Sequence, residues 1–324
     1  IAGFQMPGYS TAPTQIGMGS SGVELAQYQI QPSTVESVNV TNVYLQSTST
    51  YASAFYNYRV MVGSQQYDST YVSLNGTTSP YTAEITGVNL PVPQNGSPIT
   101  VAVYADASSW STMQQAGYTS TSTISTTTVA ITKMDYTGVA SNQTNSATSS
   151  AAGNAFASLR TTLTPAAATA AYGGGNLGYG GFTSRTLVGA FNLSAGSSNQ
   201  VQMNSMDLTL SLGNMTTPAT TTTSTVITVN DPKLNIDLGT TTIAINGITT
   251  STVTLSSSSV VPAGVSEEYY VYANLAGYSK TNAQAASTAQ MSLYNWNWQD
   301  GTRVNIGPNP NITLPVPGNS ITVN

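Results

Sequence analysis

The chain has 324 residues and a net charge of −5, only 6% of its residues are charged, and it contains neither histidine nor cysteine. Without these two residue types it cannot carry Ser-His-Asp or Cys-His catalysis, disulfides or thiolate metal sites, so we expect neither an enzyme nor a bound cofactor. Seven basic residues are too few to neutralise a row of phosphates, which excludes nucleic acids and anionic membranes as partners.

Residues 1–19 are punctuated by Gly and Pro, and we interpret them as a lead segment and a candidate donor strand. The first residue is Ile rather than Met, which predicts a processed, exported protein. No run of about 18 apolar residues occurs, so we expect no membrane span.

Residues 20–136 alternate apolar and polar side chains over short runs, as strands with one buried face do. Val38–Leu45 and Phe55–Val62 are two such runs, and Asn75-Gly76 is a strong turn signal. No sustained helical period is present. The pattern predicts an antiparallel β-sandwich domain.

Residues 137–182 are small and polar, and we interpret them as a linker that holds a lead strand and a Gly-rich loop. Within this segment Gly173–Gly178 matches the G-x-G-x-x-G string of dinucleotide sites. The required strand before it and helix after it are missing from the pattern, which favours a flexible loop.

Residues 183–302 repeat the first domain. Val38 aligns with Val201 and Tyr28 with Phe191, each 163 residues apart, and Tyr104 aligns with Tyr272, 168 residues apart. Such self-similarity predicts two tandem domains related by internal duplication, an arrangement typical of modular surface proteins and fibre subunits.

The C-terminal segment, residues 303–324, has no counterpart in this alignment. It carries two β-like runs, Ile312–Leu314 and Ile321–Val323, and an isolated strand is not stable on its own. We therefore expect it to pair with a sheet. The candidate donor-strand residues are Ile312, Leu314, Val316, Ile321 and Val323.

Three aspartates near predicted strand ends, Asp106, Asp135 and Asp300, are weak candidate Ca²⁺ ligands, because oxygen-rich loops at sandwich ends can hold this ion. Asp135 and Asp300 occupy equivalent places in the expected alignment. The alternative is that these residues form turns.

Three tryptophans are candidates for an interface or for stacking on sugars: Trp110, Trp296 and Trp298. Trp296 and Trp298 share one face of a strand, and burial would make them core residues instead. Candidate glycosylation sites are Asn39, Asn75, Asn142, Asn192, Asn214 and Asn311, each in an N-x-S/T sequence.

The duplicated motif resembles the Ig-like β-sandwich modules repeated in large prokaryotic cell-surface proteins. The matching segments are Leu25–Ile30, Val38–Leu45 and Val101–Asp106, and then Val188–Leu193, Val201–Leu208 and Val271–Asn274. This resemblance covers most of both domains. It implies an all-β fold of two tandem Ig-like antiparallel sandwiches with extended terminal segments, at the cell surface.

The low charge, the Ser- and Thr-rich pattern and the terminal strand are also similar to subunits of extracellular filaments assembled by donor-strand complementation. This resemblance implies a homopolymer, a filament or a surface layer, in which residues 1–19 or 303–324 complete a sheet in the next copy. The alternative is a cell-surface adhesin or carbohydrate-binding module from a longer repeat protein, with glycans as partners.

Overall fold

The computed structural model describes residues 3–5, 14–48, 51–67, 72, 74, 76, 79–118, 126–149, 153–168, 179–216, 224–245, 250–301 and 306–323. The chain divides into two compact units, Ile1–Arg160 (unit 1) and Thr161–Asn324 (unit 2). Nearly all regular structure in the described residues is β-strand, which confirms the predicted all-β class. The longest helix there, α1 (Trp110–Gln115), is only six residues long, and none is long and apolar enough to cross a membrane.

The described part of unit 1 consists of strands, one 3-10 turn (Ala52–Ala54) and the helix α1. Its strands are β1 (Gly3–Gln5), β2 (Thr14–Gly17), β3 (Val23–Gln31), β4 (Val38–Ser47), β5 (Phe55–Val62), β6 (Gln65–Gln66), β7 (Tyr81–Val92), β8 (Ile99–Ala107), β9 (Thr126–Gly138), β10 (Thr144–Thr148) and β11 (Ala155–Leu159).

Two sheets form unit 1. One has the order β1-β3-β8-β5-β6, and the other has the order β2-β11-β9-β4-β7, with β10 paired to the second half of β9. The pairing is antiparallel throughout except for β2 and β11, which run parallel. Strand β3 contacts β9 across the interior, where inward side chains of both sheets form one hydrophobic core, so unit 1 is a β-sandwich.

Unit 2 is built in the same way. Its strands are β12 (Leu163–Ala167), β13 (Tyr179–Gly180), β14 (Thr186–Ala195), β15 (Val201–Gly213), β16 (Met215–Thr216), β17 (Ser224–Asp231), β18 (Ile236–Ala244), β19 (Ser251–Thr254), β20 (Val260–Val261), β21 (Ser266–Ala273), β22 (Ser279–Lys280), β23 (Ser287–Gln299), β24 (Val316–Pro317) and β25 (Ile321–Val323).

The sheets of unit 2 have the orders β12-β14-β21-β17-β18 and β13-β25-β23-β15-β19. Strands β20 and β24 add to the second sheet at β15 and β23, and β16 forms a small separate ladder with β22. Again one pair is parallel, β13 with β25. Strand β14 contacts β23 across the interior.

The central strands of the two units pair in the same register. In unit 1 Tyr28 of β3 lies opposite Val101 of β8, and in unit 2 Phe191 of β14 lies opposite Tyr269 of β21. The β3 and β14 positions differ by 163 and the β8 and β21 positions by 168, the same two offsets that align the sequence. That a duplication produced this correspondence stays a prediction.

The β-bulges also recur at matching positions. Thr41 is the extra residue of β4 opposite β9, and Asn204 is the extra residue of β15 opposite β23. A bulge leaves two successive residues without a buried position. This explains the spacing of the buried residues in β4, where two residues rather than one separate Val40 from Val43.

The C-terminal segment does have a counterpart in unit 1, contrary to the sequence alignment. Strand β25 pairs with β23 so that Ile321 lies opposite Ala289, and β11 pairs with β9 so that Phe156 lies opposite Thr127. Each last strand also has a parallel partner, β13 or β2. The alignment missed the match because these strands are short and their inward residues differ.

The segment 137–182 contributes strands to both units: β10 and β11 to unit 1, and β12 and β13 to unit 2. Its small residues suggested a linker, yet all five residues of β11 are buried. Small side chains allow β11 to pack closely between β2 and β9. The predicted loop Gly173–Gly178 lies outside the described residues.

Candidate functional site

The candidate site is the groove along β23 that holds the C-terminal strand β25. The inward side chains Ile321 and Val323 are fully buried, and Thr322 between them faces outward. Ile321 packs against residues from the opposite sheet and the end of β12, namely Ala168, Leu187, Ala190 and Tyr270. Two of these four residues are alanines, and their small side chains leave room for the β-branched side chain of Ile321.

The residues that lead into β25 are held by three hydrogen bonds to backbone carbonyls. The Gly318 amide donates to the Met291 carbonyl at 2.8 Å, and the Gln290 side-chain amide donates to the Gly318 carbonyl at 2.8 Å. The Asn319 side-chain amide donates to the Ala168 carbonyl. A Cβ at Gly318 would lie 2.6 Å from the Met291 carbonyl oxygen, so only glycine fits this approach.

The first of the two expected β runs is not a strand. The Ile312 amide donates to the Asn309 carbonyl in a turn, and Leu314 lies in a bend and is 42% exposed. Prolines on both sides lack the amide that a ladder needs. Val316, in β24, does pair: it lies opposite Leu293 of β23 and is buried.

The N-terminal segment pairs with unit 1. Strand β1 lies beside β3, and β2 lies beside β11. Ile16 and Met18 are buried, and the Met18 amide donates to the Leu159 carbonyl at 2.7 Å. In the single chain, both candidate donor segments therefore complete sheets of their own units.

Asp106 is engaged by nitrogen donors. The Gly22 amide donates to it at 2.8 Å, the Asn57 side chain at 3.0 Å and the Arg59 guanidinium at 3.2 Å. Burial raises the pKa of the Asp106 carboxyl, but these hydrogen bonds and the positive charge outweigh it, and the pKa is lowered. A carboxylate already paired with a guanidinium is a poor calcium ligand.

Asp135 is part of a surface network. It accepts hydrogen bonds from Tyr44 at 2.8 Å and from Ser146 at 2.5 Å, and Lys133 lies 3.1 Å away. Burial acts to raise the pKa of the Asp135 carboxyl, but these three partners lower it overall. The side chain is therefore committed to neighbouring residues.

Asp135 and Asp300 are not equivalent. Asp135 lies inside β9 opposite Asn42 of β4. In unit 2 the residue that matches Asn42 is Ser205, and it lies opposite Asn297, so Asn297 rather than Asp300 matches Asp135. Asp300 follows β23 and is fully buried. Among the residues that the structure describes, no group of three or more His, Cys, Asp or Glu side chains is placed to hold a metal ion.

The tryptophans do not form an exposed platform. Trp296 and Trp298 are among the largest fully buried side chains, at 1% and 0% exposure, and the Trp298 indole donates to the Gly307 carbonyl at 3.3 Å. Trp110 begins α1, is half-buried, and packs edge-to-face on Tyr118 at 5.6 Å between ring centroids. Trp296 and Trp298 are therefore core residues in this structure, the alternative that the sequence left open.

The candidate glycosylation sites differ in their surroundings. Asn142 is exposed in a turn, and Asn311 is exposed before β24. Asn39 and Asn192 are half-buried within central strands. Asn214 is engaged on both sides of its amide, as described below, and Asn75 lies outside the described residues.

The Asn214 side chain closes a loop of unit 2. Its amide nitrogen donates to the carbonyls of Asn282 at 3.0 Å and Ala285 at 2.9 Å, and its oxygen accepts from the Asn282 amide at 2.8 Å. The backbone has φ of 53°, a conformation that Asn tolerates better than most residues. The side chain is therefore structural.

Comparisons with known proteins assign no family to this chain. A scan against protein families and a search of curated proteins found no match. Solved structures with some likeness include BcpA, the major pilin subunit of Bacillus cereus (8% identity, TM-score 0.23, covering 94% of this chain and 62% of that one). Another is the pilus backbone RrgB of Streptococcus pneumoniae (10% identity, TM-score 0.23, covering 99% of this chain and 59% of that one).

A third is the calcium binding domain CBD12 of CALX1.1 (7% identity, TM-score 0.24, covering 86% of this chain and 76% of that one). The chain spans less than two thirds of the length of the two pilus proteins. Likenesses this distant carry no argument about function, which has to come from the chain itself.

Proposed function

We propose that this protein is an extracellular structural subunit that joins its copies into a filament or a surface layer by strand donation. The supporting observation is the groove of β23. It is filled by a terminal strand of only three residues, Ile321–Val323, which belongs to a segment that follows the last long strand. The same strand from a second copy would make the same contacts.

The composition supports a role outside the cell and in bulk material. With 6% charged residues, the protein has little electrostatic repulsion to keep its copies apart. Paired backbones and buried aliphatic side chains need no charge. A head-to-tail contact whose rotation does not close on itself produces a fibre rather than a small oligomer.

The segment before β25 is long enough to let β25 leave its own groove and enter that of an adjacent copy. Ile306 is fixed to β23 by two backbone hydrogen bonds with Trp298, at 2.8 and 3.0 Å. Between it and β24 the residues 308–315 form no strand. Eight extended residues reach at most about 26–29 Å, enough to place β25 on an adjacent copy.

Engineered cysteine pairs test the proposal, because the natural chain has no cysteine. Thr288 and Thr322 face each other across β23 and β25, so Thr288→Cys with Thr322→Cys can form a disulfide there. Gln15→Cys with Ala157→Cys examines the N-terminal segment in the same way. The matched control is Thr209→Cys with Ser292→Cys across β15 and β23.

Polymers are assembled under reducing conditions, oxidised and run on a denaturing gel. Strand donation predicts a ladder of covalent oligomers from at least one terminal pair and single chains only from the control. Polymers whose terminal pairs both close within single chains would overturn strand donation. Failure to form any filament or layer, judged by negative-stain images, would overturn the structural role.

A further inference from the structure

We infer that the donated segment is the C-terminal one, and that Gly318 and Asn319 set its register while Ile321 is the side chain that the groove of a second copy recognises. This inference rests on the proposed function. It comes from a recurrence that the sequence alignment missed: both last strands are preceded by Gly-Asn, at Gly153-Asn154 and at Gly318-Asn319.

Both glycines press against a carbonyl of the neighbouring long strand. A Cβ at Gly153 would lie 1.5 Å from the Val129 carbonyl oxygen, and a Cβ at Gly318 would lie 2.6 Å from that of Met291. Val129 is paired with Ser47, and Met291 is paired with Leu210. Ser47 and Leu210 are equivalent positions, 163 residues apart, so Val129 and Met291 are equivalent too. Two grooves that differ in sequence thus require glycine at the same place.

The glycine is needed for space and not for an unusual backbone. Neither Gly153 nor Gly318 has a positive φ, whereas nine other glycines in the described part of the chain do. A strand shifted by one residue in either direction would bring the Cβ of Pro317 or Asn319 to the Met291 carbonyl. Such a shift would also turn Ile321 away from its pocket, because side chains alternate between faces.

Asn319 adds a second point of attachment. Its side-chain amide donates to the carbonyl of Ala168, and the Ala168 amide donates to the Ala190 carbonyl at 3.1 Å. Ala168 and Ala190 also line the pocket of Ile321. One short sequence, Gly318-Asn319-x-Ile321, therefore contacts both sheets of unit 2.

The N-terminal segment is less suited to donation. Strand β2 is joined to β3 by only five residues, 18–22. Within them Met18 and Gly19 donate backbone hydrogen bonds to Leu159 and Ser108, and Ser20 accepts one from Ala107. Strand β2 cannot reach another copy without breaking these bonds, whereas none of the residues 308–315 that precede β24 and β25 lies in a strand.

The test compares Gly318→Ala with Gly307→Ala in the full chain. Gly307 lies in the same segment, and a Cβ there would meet nothing within 4 Å. Hydrogen exchange of the β25 amides reports how firmly the groove holds the strand, whichever copy supplies it. We expect Gly318→Ala to lower this protection about 5- to 150-fold, as overpacking does, and Gly307→Ala to leave it unchanged.

Assembly is the second readout. Gly318→Ala is expected to shorten or abolish filaments, and Gly307→Ala to leave their length unchanged. Gly153→Ala disturbs the groove of unit 1 instead, so it should lower protection of β11 without loosening β25. Unchanged protection in Gly318→Ala would overturn the register role even where filaments form.

Failure of the proposed function looks different. If the chain never assembles but Gly318→Ala still loosens β25, the register role holds and the donation is wrong. If filaments form, Gly318→Ala leaves them intact, and the Thr288–Thr322 cysteine pair closes within single chains, then the C-terminal strand is not the donor.

Discussion

The hydroxyl of Tyr28 in β3 accepts a hydrogen bond from the backbone amide of Ile131 in β9, at 2.9 Å across the core of unit 1. The neighbouring Thr132 is the extra residue of a bulge in β9 opposite β4. Tyr28 is fully buried, and burial raises the pKa of its phenol even though the amide contact acts in the opposite direction. The matching residue in unit 2 is Phe191, which has no hydroxyl.

Tyr28→Phe should therefore destabilise unit 1. The change leaves the Ile131 amide without this partner inside the core, at a cost of about 1–3 kcal/mol. Tyr58→Phe is the matched comparison, because the Tyr58 hydroxyl is buried and has no hydrogen-bond partner among the residues that the structure describes. We expect that variant to be neutral or more stable, and urea unfolding measures both; equal losses would contradict the assignment.

Alkaline pH should destabilise unit 2 through Tyr269. Burial raises the pKa of Tyr269 to about 12, against an opposing hydrogen bond from Ser259. The folded state keeps the phenol neutral, so nothing changes below the ordinary pKa of 10.0, and stability falls between pH 10 and about 12 as the unfolded chain ionises. The loss approaches about 2–3 kcal/mol at the upper end.

Tyr269→Phe should flatten this alkaline fall. The measurement is the free energy of unfolding from denaturant titrations at several pH values across the window. A variant that shows the same slope as the natural chain would mean that other tyrosines, such as Tyr58, dominate the titration.

Acid should act through Asp106. Its pKa is lowered from the ordinary 3.8, so the stabilisation is fully present above pH 3.8 and is lost as the pH falls below that value. Asp106→Asn should lower the melting temperature at neutral pH, because Arg59 loses its charged partner, and should weaken the acid dependence. Melting curves from pH 7 to pH 2 test this, and an unchanged acid limb would exclude Asp106 as a contributor.

Glycosylation should discriminate between two turn asparagines. Asn142 and Asn214 both have φ near 55° and both precede x-Thr, but only Asn142 is exposed with its side chain outside a hydrogen-bonded loop. In a host that modifies N-x-S/T sites, we expect peptide mass spectrometry to find sugar at Asn142 and none at Asn214. Sugar at Asn214 would mean that modification precedes folding of the 282–286 loop.

The sequence predicts the sandwich well because its signals are local. The two offsets follow from paired central strands, and the spacing from Val40 to Val43 encodes a bulge that recurs at Asn204. What the sequence does not yield is long-range. Gly153 matches Gly318 because each lies against a carbonyl of a neighbouring strand. In the sequence this contact is visible only as the dipeptide Gly-Asn.

Whether each candidate side chain is buried, exposed or paired depends on residues that are distant in the sequence. Trp296 and Trp298 could be core or platform on pattern alone, and only the opposite sheet decides that they are buried. The offset of 165 that relates Asp135 to Asp300 is wrong, because the strand pairing relates Asp135 to Asn297, 162 residues further on. Ile312 and Leu314 have strand propensity, but the prolines around them prevent a ladder.

The two grooves receive different side chains at the same place. Phe156 meets Phe55 edge-to-face in unit 1, with 6.1 Å between ring centroids, whereas Ile321 fills a pocket partly lined by Ala168 and Ala190 in unit 2. A phenyl ring would be too large for the second cleft, and an isoleucine would leave a void in the first. Under the proposed strand donation, this difference in side-chain size favours insertion of β25 from a second copy into the groove of unit 2 over insertion into the groove of unit 1.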